Sequence, residues 1–78
     1  MSKLLKPNVS RSGNEAIFDC SVSAQRYIPL SPGKARQYFV YWHSLGAASI
    51  ATAREFAANI NAACDWLEAL AKEKGEGV

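Results

Sequence analysis

Groups that hold metals or act as nucleophiles are scarce in this chain: it has two cysteines, Cys20 and Cys64, and a single histidine, His43. Two distant cysteines cannot build the disulfide framework of a small secreted domain. With one histidine they also fall short of the roughly four closely spaced ligands of a structural zinc site. No metal and no cofactor is therefore expected, and both thiols read as buried and reduced, since free cysteine is among the most often buried residue types. Long apolar runs are missing too. No stretch approaches the ~20 residues that span a bilayer, so no membrane partner is expected. Residues 1–7 are too short and too polar for a secretion signal, which makes the cytoplasm the expected compartment. There is no Gly-rich phosphate loop, paired-carboxylate motif or nucleotide fingerprint. His43 has only Ser44 beside it in sequence, which is no catalytic constellation, and the expectation is a protein that is not an enzyme.

What is present is an ordinary globular composition, 49% apolar and 21% charged over 78 residues. That length makes one domain with a small core, burying about 60 to 65% of its unfolded surface. The net charge of +2 conceals an asymmetry. Residues 1–43 carry six cations (Lys3, Lys6, Arg11, Arg26, Lys34, Arg36) against Glu15 and Asp19, whereas residues 44–78 carry three cations against five carboxylates. The strand half is basic and the helix half acidic, which permits attraction of a polyanion to the sheet side.

Residues 1–13, with Pro7, Asn8, Ser10, Ser12 and Gly13, read as a flexible basic arm, and residues 14–78 as a single β-β-(β)-α domain. Asn8-Val9-Ser10 matches a glycosylation sequon but has no secretion signal to give it meaning. Over residues 15–24, Ala16, Phe18, Cys20, Val22 and Ala24 alternate with Ile17, Asp19, Ser21 and Ser23, the pattern of one half-buried strand. Tyr27-Ile28-Pro29-Leu30 extends that strand or begins another, with Pro29 confining it to an edge or bulge. Ser31-Pro32-Gly33-Lys34 supplies a turn that sends the chain back, and residues 35–43 form an aromatic strand. Residues 47–51 have no clear period and are compatible with strand, loop or helix. Thr52-Ala53-Arg54-Glu55 then fits a capping box. The following helix carries an apolar stripe of Phe56, Ile60, Ala63, Cys64, Leu67, Leu70 and Ala71, with Trp66 at its margin. Lys72, Lys74 and Gly75 end it, about 33 Å from its start, and Glu76-Gly77-Val78 should fray. The expected fold is α+β, a two- or three-stranded antiparallel sheet with one long C-terminal helix packed on one face.

The aromatic strand points to function. Successive side chains of a strand face opposite ways, so Tyr38, Val40 and Trp42 lie on one side and Phe39, Tyr41 and His43 on the other. One helix covers one face. If it covers the first set, the second stays open as an aromatic surface, flanked by Arg26, Lys34 and Arg36. Such rings and cations suit nucleic acid, since base stacking on an exposed ring contributes about 1–3 kcal/mol. They suit equally a homodimer sealed through the same face. On the helix, Ala58, Ala62 and Ala69 fall together opposite the stripe, edged by Glu55, Asp65 and Glu73. This small-residue, acid-rimmed surface suits close approach by a protein.

A strand-rich N-terminal half followed by a helix opening Thr52-Ala53-Arg54-Glu55 resembles, in layout, the small arm-type DNA-binding domains of phage integrases. The resemblance implies a sheet-plus-helix fold and carries over no base-reading residue. Two function classes follow from the sequence. One is a small accessory or regulatory protein that binds nucleic acid through Arg26, Lys34, Arg36, Phe39, Tyr41 and His43. The other is an inhibitor or adaptor that docks on a host protein complex through Glu55, Ala58, Ala62, Asp65 and Glu68, such as a mobile-element (phage) anti-CRISPR protein.

Overall fold

The computed structural model describes residues 7–19, 21–30, 33–43 and 46–76. Strands β1 (Asn8–Val9), β2 (Glu15–Ile17), β3 (Ser23–Tyr27) and β4 (Gln37–Tyr41) form one antiparallel sheet in chain order. Helix α1 (Ile50–Lys74) packs against one side of it. The α+β class and the single long helix are as expected; the sheet has four strands where two or three were expected.

The additional strands have separate causes. The expected strand over residues 15–24 is a tight hairpin, with Ala16 facing Ala24 and Ile17 facing Ser23. Paired residue numbers there add to an even number, so even positions point inward on both arms and the apolar alternation runs through the turn unbroken. Ala16, Phe18, Val22 and Ala24 are indeed all buried. The turn is closed by Val22 N–H donating to the Asp19 carbonyl (3.3 Å) and Phe18 N–H to the Val22 carbonyl (2.8 Å). Ser21 takes the left-handed position at φ 59°, where sequence rules look for glycine or asparagine. Cys20 falls outside the described residues, and its expected burial with it. The fourth strand comes from the expected arm, where Asn8 and Val9 pair with Ile17 and Ala16. Residues 1–6 lie outside the described residues.

The chain doubles back between β3 and β4 as expected, although Ser31 and Pro32 of the turn lie outside the described residues. β4 stops at Tyr41 because its partner there, Ser23, is the first residue of β3. Trp42, expected to face the helix beside Val40, therefore has no opposing strand and is 56% exposed.

Helix α1 begins one turn before the expected cap. Ser49 is the N-cap, its hydroxyl accepting from the Thr52 amide at 3.2 Å, while Ala53 N–H donates to the Ser49 carbonyl at 2.9 Å. Thr52 is inside the helix, its hydroxyl 3.0 Å from that of Ser49. The later cap would forfeit a turn that Ile50 and Ala51 can form, and Ser49 satisfies the orphan Thr52 amide of the earlier start. The other end is as expected: Gly75 is left-handed at φ 70°. Glu76 N–H donates to the Ala71 carbonyl (2.8 Å) and Gly75 N–H to Lys72 (3.2 Å), the paired bonds of a Schellman turn.

The inner face of α1 buries Asn59, Ala63, Leu67 and Ala71, against Ala16, Phe18, Val22 and Ala24 of the sheet side. Phe56, Ile60, Ala62 and Trp66 pack around this cluster, and Cys64 is half-buried and free. Alanine fills four of those core positions, which lets helix and sheet approach closely but leaves Phe18, Val22 and Leu67 to supply most of the buried apolar area. Asn59 is the polar member the sequence pattern did not mark; its amide donates to the Glu55 carbonyl at 2.8 Å.

A 25-residue helix is about 37 Å long, against about 17 Å for a five-residue strand. The C-terminal end of α1 lies over the end of β3 and the start of β4, where Glu76 meets Arg26 and Tyr38. The helix thus runs antiparallel to β4, and its first turns overhang the sheet: Ile50 is 77% exposed and residues 51–55 are all exposed.

Candidate functional site

The strand registers assign every side chain of the uncovered face. Ile17, Ser23 and Tyr41 form one cross-strand row, Glu15, Gln25 and Phe39 the next, and Tyr27 and Gln37 the last, with Asn8 beside Ile17. Three rings make a continuous run across this surface. Tyr27 and Phe39 centroids lie 6.4 Å apart at 57°, and Phe39 and Tyr41 centroids 5.9 Å apart at 45°. Both are tilted contacts in the range that aromatic quadrupoles favour. Tyr27, Phe39 and Tyr41 are 43%, 38% and 48% exposed, so the rings hold one another in place and still present their faces to solvent. At the Tyr41 end, a hollow of about 360 Å³ is lined by Ile17, Ser21, Ser23, Gln25, Tyr41 and His43.

The face carries almost no charge. Glu15 is the one ionisable group in its outward-facing rows apart from the tyrosines, and its carboxylate accepts from the Gln25 amide at 3.1 Å. Lys34 and Arg36 are exposed in the segment leading into β4, and His43 is exposed just beyond it. Arg26 is not on this face. As the cross-strand partner of Tyr38 it points to the helix side, where its side chain is 9% exposed. Its even position in a strand whose odd residues face outward decides this; the expectation that it flanks the open rings is corrected.

Arg26 instead builds a clasp behind the sheet. Its Nε and Nη2 donate to the two carboxylate oxygens of Glu76 at 2.9 and 2.8 Å, and its Nη1 donates to Asn14 Oδ1 at 3.1 Å. The Tyr38 hydroxyl donates to the same carboxylate. The Schellman turn brings Glu76 into reach, so the residue expected to fray joins α1 to β3 and β4. These donors, Arg26 first and Tyr38 second, hold the Glu76 carboxyl down at about 2. Glu76 first and Tyr38 second raise the Arg26 guanidinium further, while burial first and the Glu76 contact second push the Tyr38 phenol up.

On the helix, Glu55, Ala58, Asp65 and Glu68 are exposed. Ala62 is half-buried and packs against the core, so the alanine face expected there is interrupted. Tyr27, Ile17 and Gln37 belong to the sheet face although sequence reasoning passed over them. Tyr27 was legible in principle, since it shares parity with Gln25 and Ser23, but only once β3 is known to end at Tyr27.

Among the described residues seven cations balance seven carboxylates, and the net +2 of the chain comes from Lys3 and Lys6, outside them. No cluster of three or more potential metal ligands occurs among the described residues, and no helix there is long and apolar enough to cross a membrane. Comparison with protein-family models, with curated proteins and with solved structures finds no match.

Proposed function

We propose that this chain is a non-enzymatic binding module whose uncovered sheet face docks on another protein. The observation that carries the reading is the contacting run Tyr27–Phe39–Tyr41, exposed on a surface of glutamine, serine and isoleucine with a single carboxylate. Tyrosine-rich, charge-poor surfaces form the energetic centres of protein interfaces, because rigid rings bury much area at little conformational cost. A polyanion site needs cations beside the rings, and Arg26 is engaged with Glu76 on the far side. A small inhibitor or adaptor of a larger complex is one form such a module takes.

A second reading, nucleic-acid binding, draws on Lys34 and Arg36 ahead of β4, with Lys3 and Lys6 as further cations. One experiment separates the two. The protein is immobilised, offered an extract of its source cells at low and high salt, and the retained protein and nucleic acid are identified; a retained partner is then purified and its binding remeasured. The protein-docking reading expects a partner that persists at high salt and is lost with Phe39→Ala or Tyr41→Ala. Retention of nucleic acid alone, weakening steeply with salt and lost with Arg36→Ala, supports the second reading and overturns the first.

A further inference from the structure

The two edges of the sheet are treated differently. β1 is two residues long and follows Pro7, and a short strand beside proline is a poor template for pairing. β4 is a five-residue edge, Gln37-Tyr38-Phe39-Val40-Tyr41, with no charge, proline or glycine in it. Among the described residues no backbone hydrogen bond outside the β3 ladder reaches it.

The register tells which of its groups point outward. Arg26 N–H donates to the Asn14 carbonyl at 2.7 Å, on the β2 side, so the Arg26–Tyr38 pair is a non-bonded pair of the β3–β4 ladder. By alternation Ala24–Val40 is another. The N–H and C=O of Tyr38 and Val40 therefore face away from β3, four groups with no backbone partner among the described residues.

We propose that β4 pairs antiparallel with β4 of a second copy about a two-fold axis at Phe39, joining two sheets into one of eight strands. In this register Tyr38 faces the partner's Val40 and Val40 the partner's Tyr38, which uses all four outward groups in hydrogen-bonded pairs. Phe39 meets the partner's Phe39, and Gln37 meets the partner's Tyr41. No like charges oppose each other, so the strand is self-complementary. Continued one residue past each end, the register sets the exposed Trp42 opposite the partner's Arg36, on the helix side, where cation and ring attract. Because α1 packs over β3 and β4, the two helices lie roughly 10–14 Å apart on one side of the joined sheet, near enough to approach and too far to clash. The two ring runs on the other side become one uncovered surface. The proposed docking face thus survives dimerisation, and the pairing stands or falls independently of that reading.

The test is sedimentation equilibrium of the purified full chain combined with amide exchange. The proposal expects twice the 8.5 kDa chain mass, with Tyr38 and Val40 amides that exchange slowly when concentrated and at least tenfold faster on dilution. Phe39→Lys, which sets two ammonium groups against each other across the axis, is expected to be monomeric with an unchanged far-ultraviolet dichroism spectrum. A chain that stays monomeric up to ~1 mM overturns the proposal, since pairing weaker than that is no specific assembly. So does a dimer whose Tyr38 and Val40 amides exchange freely, which would place the contact elsewhere, and so does protection that ignores concentration. The exchange measurement needs only the wild-type chain, so failure of the variant to fold leaves the decision intact.

Discussion

Glu76 sits two residues past the last helical residue, yet it ties the end of the helix to the sheet, because its carboxylate takes both arms of the Arg26 fork and the Tyr38 hydroxyl. An ordinary glutamate titrates near 4.5 and this one near 2, so the folded state binds fewer protons than the unfolded state between those values. Its contribution is complete above pH 4.5 and disappears as the pH falls through about 2. Glu76→Gln is accordingly expected to lower the melting temperature at pH 7, with the gap to wild type closing over that window. A gap constant from pH 7 to pH 2 would contradict the clasp. Arg26→Lys should reproduce much of the loss at pH 7, because an ammonium cannot serve both carboxylate oxygens and Asn14 in one plane.

At the scale of the element, the helix start and the hairpin show what a sequence pattern can and cannot distinguish. Ser49 and Thr52 are both of capping type, and the choice between them is made by whether Ile50 and Ala51 join the helix. Ser49→Ala is expected to cost about 1 kcal/mol in a denaturant titration, and Thr52→Ala less than half of that. Equal losses would return the cap to Thr52. The inward positions of β2 and β3 were legible, since Ala16, Phe18, Val22 and Ala24 keep their alternation. The fold between them was not, because an even pairing sum conserves parity through the turn and Asp19-Cys20-Ser21 holds no glycine, proline or asparagine. The C-terminus of the helix was legible from Gly75, whereas the role of Glu76 was not. That role depends on a partner fifty residues away, and no local pattern encodes such a contact.

At the scale of the whole molecule, the division of labour between the two sheet faces organises everything else. The helix side holds the core, and so small a core has no slack: a 78-residue domain has a total stability of roughly 4–12 kcal/mol. Leu67→Ala, removing the largest buried helix side chain, is expected to cost about 2–5 kcal/mol, a large share of that total. Tyr41→Ala, on the other face, is expected to change stability by less than about 1 kcal/mol, because its ring is half-exposed and loses one tilted contact. Measured unfolding midpoints of the two variants check this contrast. The most direct test of the divided sheet is photochemically induced nuclear polarisation, which enhances only rings that a flavin dye can touch. The chain's three tyrosines, Tyr27, Tyr38 and Tyr41, are divided between the faces. The account predicts strong polarisation of Tyr27 and Tyr41 with Tyr38 dark. A bright Tyr38 beside dark Tyr27 and Tyr41 would mean that the helix covers the opposite side.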